Sequence, residues 1–505
     1  MSGFRAPPKR NLVIRMAASA TRSQTGIEGL DDVLQGGFIP NRLYLVAGDP
    51  GSGKTTLALQ YLLEGRRRGE RGLYLTLSET KEELIAGAAS HGWDLDGIEI
   101  VELMSKEEAL ERENNLTMFN PSEVELSETT KFVLDAVTRS NPTRVVFDSL
   151  SEMRLLAQSS LRYRRQILAL KQFFIGRQCT VLLLDDGTSE GSDMQLQSIA
   201  HGVIELAQTA PGYGAERRRM RVVKFRGTQF RGGHHDFVIA RGGLRIFPRL
   251  VSAEHRSDRA LSPVPSGIGA LDSLLGGGPD RGTSTLFIGP AGSGKSTMAL
   301  QYAVSAARRG EHAAVFAFDE RVQTLLARSQ AVGQAFTEGR GPGELSVRQV
   351  DPTERSPGEF AHMVREAVER DHATVVVIDS LNGYLNAMPE ERFLTAQLHE
   401  LLAYLGERGV CTILVVAQHG AIGGNIQTPI DTSYLADAVV LFRFFEYRGQ
   451  VKRAVSVLKK RSGAHEDTIR ELKTGPQGIS LSEPLKEFHG ILSGMSLLPG
   501  ENAPR

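Results

Sequence analysis

The 505-residue sequence has no excess of either charge, because 59 basic residues balance 59 acidic ones. A chain without net charge creates no overall field that would attract nucleic acid or an acidic membrane surface. We therefore expect no membrane association and no nucleic-acid partner, although a local basic groove is compatible with this composition.

Cysteine is scarce, and long apolar runs are missing. Cys179 and Cys411 each lie in a short apolar run, which favours two small buried strand residues over a disulfide or a metal pair. No segment approaches the roughly 20 apolar residues that a membrane span needs. The N-terminus is basic but lacks the apolar core of a signal peptide. We expect a soluble, cytoplasmic protein with a flexible leader.

What the chain does contain is a long internal repeat. The phosphate-binding pattern G-x-x-x-x-G-K-[ST] occurs at residues 48–55 and again at 289–296. Before each copy stands a related segment, TGIEGLD at 25–31 and SGIGALD at 266–272. A repeat of nearly half the chain predicts two tandem domains of one kind.

The predicted organisation follows from this repeat. Apolar runs alternate with helical segments in each half, which predicts an α/β fold with a mainly parallel central sheet. The predicted segments are a flexible leader (1–20), a first nucleotide-binding domain (21–250), a linker (251–262), a second such domain (263–495) and a short disordered tail (496–505).

The glycine loops predict two ATP sites. Their backbone N–H groups can surround a polyphosphate, since glycine permits the close approach. The loop lysines would contact the β- and γ-phosphates, and the next hydroxyl residues, Thr55 and Ser296, would bind Mg²⁺. The predicted ATP-binding residues are Gly48, Asp49, Pro50, Gly51, Ser52, Gly53, Lys54, Thr55 and Thr56, and Gly289, Pro290, Ala291, Gly292, Ser293, Gly294, Lys295, Ser296 and Thr297.

Two strand-end aspartates are the expected remaining magnesium ligands. Asp148 and Asp379 each end an apolar run and are each followed by Ser-Leu. A carboxylate at the carboxyl end of a central strand is well placed for Mg²⁺. An isolated aspartate at the end of a strand is more often a cap, so the prediction depends on the duplication.

Acidic residues after the next strand are the candidate catalytic groups. Glu79 and Glu320 each lie 25 residues after a loop lysine, a position that suits polarising a water for attack on the γ-phosphate. An ordinary charged helix cap is the alternative. The halves differ at the preceding residue, which is Ser78 in the first and Asp319 in the second. Adjacent carboxylates can raise one pKa and favour proton abstraction.

Two late cationic pairs occupy matching positions in the halves. Strand alternation places Lys224 with Arg226, and Lys459 with Arg461, on one side of a strand. These cations could reach the phosphates bound to a neighbouring subunit. Ordinary exposed strand charge is the competing interpretation.

Together, the duplicated openings, the paired loops, the acidic positions and the late K-x-R motifs resemble the KaiC family of circadian clock proteins. The resemblance runs from about Thr25 to Gly494. It implies two tandem RecA-like P-loop NTPase domains and a two-tiered homohexamer that binds ATP between subunits. It also implies slow hydrolysis in the first ring, autokinase and autophosphatase activity in the second, and nucleotide contacts across subunits by the four late cations.

The chain departs from the family pattern at the phosphorylation site. The family modifies an adjacent Ser-Thr pair, and alignment on Asp437 places Ser433 on the serine and Tyr434 on the threonine. A one-residue slip makes Thr432 and Ser433 the pair. Since a tyrosine hydroxyl lies farther from the backbone, we expect modification of Ser433 alone.

Two further departures concern catalysis and partners. Clock members carry two glutamates at the acidic position, so hydrolysis in the first ring would depend on Glu79 and kinase chemistry on a shorter carboxylate. The tail that recruits KaiA in clock members is truncated here, and we expect KaiA-independence. Binding of a KaiB-like protein to the first ring stays compatible with the sequence.

The leading hypothesis is a homohexameric ATPase with serine/threonine autokinase activity that acts in timing or signalling. One alternative is a RecA-like DNA-dependent motor or recombinase, because that class shares the fold and the loops. The other is a nucleotide-gated scaffold with little turnover.

Overall fold

A computed structural model describes residues 22–103, 121–157, 159–187, 193–212, 214–251, 260–386, 393–418, 435–486 and 491. The predicted leader, most of the predicted linker, the predicted tail and residues 432–434 lie outside the described residues. The chain divides into two compact units, Met1–Thr209 with Arg218–Pro248, and Ala210–Arg217 with Arg249–Arg505.

The first unit is built on one nine-stranded sheet. Its strands are β1 (Leu43–Gly48), β2 (Gly72–Thr76), β3 (Ile98–Glu102), β4 (Arg144–Asp148), β5 (Thr180–Asp186), β6 (Gly202–Thr209), β7 (Arg217–Phe225), β8 (His234–Ala240) and β9 (Gly243–Phe247). Their order is β3-β2-β4-β5-β1-β6-β7-β8-β9. The pairs from β3 to β6 are parallel, and β7-β8 and β8-β9 are antiparallel.

Seven described helices accompany this sheet. They are α1 (Leu30–Val33), α2 (Lys54–Arg67), α3 (Lys81–Ser90), α4 (Pro121–Ser140), α5 (Leu150–Ala157), α6 (Ser160–Ile175) and α7 (Asp193–Ile199).

Helices cover both faces of the first sheet, and this explains its continuous apolar strands. Successive strand residues point to opposite faces, so Tyr44 and Val46 pack in one apolar cluster, and Leu43 and Leu45 in another. Strands that are buried on both faces are typical of parallel sheets.

The second unit repeats this plan. Its strands are β10 (Ser284–Gly289), β11 (His312–Ala317), β12 (Leu345–Gln349), β13 (Ala373–Asp379), β14 (Cys411–Ala417), β15 (Ala438–Tyr447), β16 (Gln450–Lys460), β17 (Arg470–Gly475) and β18 (Gly478–Pro484). The order β12-β11-β13-β14-β10-β15-β16-β17-β18 matches the first sheet strand for strand. The described helices are α8 (Gly269–Leu274), α9 (Lys295–Arg308), α10 (Val322–Ala331), α11 (Pro357–Glu369), α12 (Leu381–Asn386) and α13 (Leu394–Glu407).

The predicted fold class is confirmed: the chain holds two tandem α/β domains with mainly parallel central sheets. Cys179 and Cys411 are both free and buried, as predicted. Of the helices that the structure describes, none has the length and apolar character needed to cross a membrane.

Candidate nucleotide sites

Each glycine loop follows the central strand of its sheet in a conformation that requires glycine. Gly53 has φ 101° and Gly294 has φ 101°, in the left-handed region. At the loop start, a Cβ on Gly48 would lie 2.3 Å from the Leu206 carbonyl oxygen, and one on Gly289 would lie 2.4 Å from that of Phe442. The loop therefore lies directly against the neighbouring strand and tolerates no side chain there.

The loop lysines curl back into their own loops. Lys54 Nζ donates to the carbonyl oxygens of Gly48 (2.8 Å) and Asp49 (3.0 Å), and Lys295 Nζ donates to that of Pro290 (2.7 Å). The helices that begin at these lysines have no side-chain cap at the preceding glycine. Their first N–H groups are thus available for an anion, and the helix dipole favours negative charge at this end.

Hydroxyl and carboxylate oxygens meet beside each loop. Thr55 Oγ1 lies 3.4 Å from Asp148 Oδ2, which also accepts a 2.5 Å hydrogen bond from Tyr74. Ser296 is likewise hydrogen-bonded to Asp379, and burial raises the pKa of both aspartates. These hard oxygen donors suit Mg²⁺, which takes one or two protein ligands and fills its shell with water and phosphate. Cis peptide bonds follow both aspartates.

The first site presents Glu79 at the same sheet edge. Thr76, three residues earlier, is in register with Asp148 on the adjacent strand, and its Oγ1 accepts the Glu79 N–H at 3.0 Å. A capping box between Thr80 and Glu83 begins α3 and fixes the segment that carries Glu79.

The Glu79 carboxylate has no hydrogen-bond or salt-bridge partner among the described residues. Glu79 as a whole residue is exposed to solvent, but its carboxyl group is partly buried, and this burial raises its pKa. The negative charges of Asp148 and Glu83 raise the pKa further. A raised pKa brings a carboxylate closer to the range in which it can take up a proton.

The corresponding carboxylates of the second site have separate partners. Asp319 accepts a hydrogen bond from the Ser380 hydroxyl. Glu320 accepts two from one guanidinium, from Arg328 Nε at 3.2 Å and from Arg328 Nη2 at 2.6 Å. Arg328 Nη1 also donates to Thr297 Oγ1 at 3.1 Å. Arg328 lies eight residues after Glu320 and was not among the residues predicted from the sequence.

A second residue that the sequence analysis missed is Asp186, in the first site. It ends β5, in register with Gly48, and its Oδ1 lies 2.7 Å from Lys54 Nζ. Burial opposes ionisation of Asp186, but hydrogen bonds from Lys54 and Ser151 outweigh it and lower the pKa. The matching strand position in the second unit is Ala417.

The second-site lysine consequently has a different environment. Within the described residues no carboxylate lies in salt-bridge distance of Lys295. Burial lowers the pKa of Lys295 to about 8, and the charge of Asp379 only partly opposes this.

A cavity opens at the second loop. Its volume is about 510 Å³, within the range of small-molecule sites. Besides the loop, its lining includes Glu320, Arg328, Asp379 and, from β16, Arg453, whose Nη1 bonds Thr474 at 2.9 Å.

The four late cations lie at the opposite sheet edge from the loop of their own domain. Arg226 follows β7, and its N–H donates to the carbonyl of His201, directly before β6. Because β6 runs parallel to β1, this edge is the one where β1 begins, about 20 Å from the loop at its end. The backbone N–H of Arg461 likewise donates to the carbonyl oxygen of Asp437, directly before β15.

The cationic side chains are held at that edge. Lys224 donates to the carbonyl of Gln197, and Lys459 donates to that of Ala436 at 2.8 Å. Arg226 Nη2 donates a hydrogen bond to the carbonyl oxygen of Ser198 at 3.0 Å. Arg461 Nη1 lies 3.7 Å from Asp437 Oδ1. The structure therefore does not bring the four cations together with the nucleotide loop of the same domain.

The two sheets and two loops define a double-domain RecA-like P-loop ATPase. The KaiC ATPase family matches the chain twice, over residues 23–251 and 264–486. The chain belongs to the KaiC ATPase family.

Curated relatives span nearly the full length. The chain is similar to the circadian clock protein KaiC3 of Synechocystis, with 25% identity over 483 residues and 95% of each chain covered. It is also similar to the clock oscillator protein KaiC of Picosynechococcus, with 26% identity over 478 residues, 93% of this chain and 91% of the relative. The oscillator protein KaiC of Synechococcus elongatus is 25% identical over 480 residues, 94% of this chain and 91% of the relative.

Proposed function

We propose that this KaiC-like protein is a Mg²⁺-dependent ATPase whose first site carries most of the hydrolysis. The observation that carries this proposal is the arrangement of Lys54, Asp148 and Glu79 at one sheet edge, with the Glu79 carboxylate unpaired among the described residues. Lys54 would bind the β- and γ-phosphates.

In the proposed reaction, Glu79 accepts a proton from a water molecule. The water oxygen forms a bond to the γ-phosphorus, the bond from that phosphorus to the β–γ bridging oxygen breaks, and ADP leaves with the electron pair. Thr55 and Asp148 in the first site, and Ser296 and Asp379 in the second, would hold Mg²⁺. The ion would supply positive charge to neutralise the phosphates.

Steady-state phosphate release from the full chain tests this proposal. Glu79→Gln keeps the size of the side chain but removes the proton acceptor, and loss of a general base costs about 10²- to 10⁴-fold at one site. Glu82→Gln is the matched control, because Glu82 is an exposed glutamate on the next helix. No phosphate release from the wild type would favour a scaffold with little turnover. Equal rates of phosphate release in both variants would reject the assignment of Glu79.

We propose a two-tiered homohexamer with ATP between subunits. The support is the position of Lys224, Arg226, Lys459 and Arg461 at the edge away from their own loops, where they could meet the nucleotide of a neighbour. Sedimentation velocity should show six chain masses with ATP, and Arg226→Ala should weaken first-site ATP binding without removing any group of the same chain's loop. A monomer at all ATP concentrations would contradict this.

For the second domain we propose autokinase and autophosphatase activity on Ser433, which lies outside the described residues. The support is family membership and the Asp319–Glu320 pair beside the second loop. Mass spectrometry after incubation with Mg-ATP should find phosphate on Ser433, and none in Lys295→Ala. Phosphate on Thr432 or Tyr434 instead would correct the site, and none anywhere would reject the kinase assignment.

The proposed role is in timing or signalling, with a KaiB-like protein as a candidate partner of the first ring. Salt-dependent retention of DNA in a filter assay would instead favour the DNA-motor alternative.

A further inference from the structure

The two sites treat equivalent glutamates differently, and one arginine accounts for the difference. Glu320 is held by both Arg328 Nε (3.2 Å) and Arg328 Nη2 (2.6 Å), a two-point contact that fixes the orientation of a carboxylate. The third nitrogen reaches Thr297 Oγ1 at 3.1 Å. Arg328 thus ties Glu320 to the start of the helix that carries the second loop.

The first site has no counterpart of this contact. Residue 87 stands eight residues after Glu79, as Arg328 does after Glu320, and it is a glycine. The helices α3 and α10 each begin two residues after the glutamate of their site. Gly87 in α3 and Arg328 in α10 therefore occupy equivalent positions. A Cβ built on Gly87 meets nothing within 4 Å, so steric exclusion does not explain the missing side chain.

We propose that Arg328 is a positioning residue that restrains Glu320 and thereby makes the second site the slower hydrolase. This inference rests on the proposed function. A carboxylate whose two oxygens both accept hydrogen bonds from a guanidinium presents fewer free lone pairs to a water molecule and is held in one orientation. Slower attack by water leaves bound ATP available for transfer of the γ-phosphoryl group to a protein hydroxyl.

The size of the effect follows from the exposure of the pair. The Arg328 and Glu320 side chains are 25% and 27% exposed. Partly exposed ion pairs are weak, so releasing Glu320 should change the rate by about fivefold.

Reciprocal variants test the inference in the full chain. In a Glu79→Gln background, where the first site still binds ATP, Arg328→Ala should raise kcat of the second site by about fivefold with KM changed less than about twofold. Arg328→Lys keeps the positive charge but cannot make the two-point contact with the carboxylate. Its kcat at the second site should lie between that of the Glu79→Gln background and that of Arg328→Ala. In a Glu320→Gln background, Gly87→Arg should lower kcat of the first site by a similar factor.

Arg321→Ala is the matched control, since Arg321 is an exposed arginine at the beginning of the same helix. A merely structural role for Arg328 predicts a lower Tm with kcat unchanged or reduced, and that result would overturn the inference. An increase in kcat with Arg321→Ala of equal size would overturn it as well. If the Glu320→Gln background shows no hydrolysis, the first site is not the main hydrolase, and the proposed function is rejected. A higher kcat in Arg328→Ala would still support the inference that Arg328 restrains Glu320.

Discussion

Replacement of Asp186 by asparagine should tighten ATP binding at the first site. Lys54 is 8% exposed and lies 2.7 Å from Asp186, which is 31% exposed. An incoming phosphate must compete with this carboxylate for the lysine and must also approach its negative charge. Asparagine keeps the size and can still accept the 2.8 Å hydrogen bond from Ser151.

The magnitude follows from the geometry of this pair. Two unit charges about 4 Å apart interact by roughly 4 kcal/mol at an effective dielectric constant of 20. Solvent reaches Asp186, and Lys54 keeps its bonds to two loop carbonyls, so the net loss is smaller, about 1.5 kcal/mol. That free energy corresponds to roughly a tenfold lower Kd.

Titration with a fluorescent ATP analogue measures this effect. Every protein in this titration also carries Lys295→Ala, which removes the second-site lysine. The fluorescence change then reports ATP-analogue binding at the first site. Glu205→Gln is the control, because Glu205 carries the same charge on β6 but pairs with Arg221 at 2.7 Å. We expect the Kd of the first site to change less than about twofold in Glu205→Gln. Unchanged or weaker binding in Asp186→Asn would refute the idea that the carboxylate competes with phosphate.

Three further predictions concern the first loop, the core and the thiols. Gly48→Ala should abolish ATP binding at the first site and spare the second, because the added Cβ would lie 2.3 Å from a carbonyl oxygen; retained first-site binding in equilibrium dialysis would contradict this. Arg144→Met should lower the Tm of the first domain in calorimetry by an amount equivalent to about 2 kcal/mol, since it removes the charged hydrogen bonds that the buried guanidinium donates to the carbonyl oxygens of Gln24 and Tyr61. An unchanged Tm would show that these hydrogen bonds are dispensable. Burial raises the pKa of Cys179 to about 11 and that of Cys411 to about 12, so both thiols should resist iodoacetamide at pH 8 until urea unfolds the chain; rapid native labelling would contradict their burial.

Much of the fold could be predicted from the sequence because its central strands are buried on both faces. Continuous apolar runs such as Leu43–Gly48 and Ala373–Asp379 indicate parallel strands, and the duplicated loops fix their place in the sheet. The antiparallel strands beyond β6 were less visible. Strand β7, for example, carries four arginines among its nine residues and has no continuous apolar run.

The parts of the sites that repeat were easier to find than the parts that do not. Asp148 and Glu79 could be recognised because each has an equivalent in the other half. Asp186 and Arg328 occur in one half only, and their contacts depend on strand order and helix position. A comparison between halves therefore gives no signal for either residue.

We expect the two equivalent loops to serve sites of unequal activity, and a comparison of Glu79→Gln with Glu320→Gln measures this difference. With Mg-ATP at saturation, we expect steady-state phosphate release by the full chain to fall at least about tenfold in Glu79→Gln. Glu320→Gln should retain most of the wild-type rate, because Arg328 already restrains that carboxylate. Equal losses, or a larger loss in Glu320→Gln, would contradict the account.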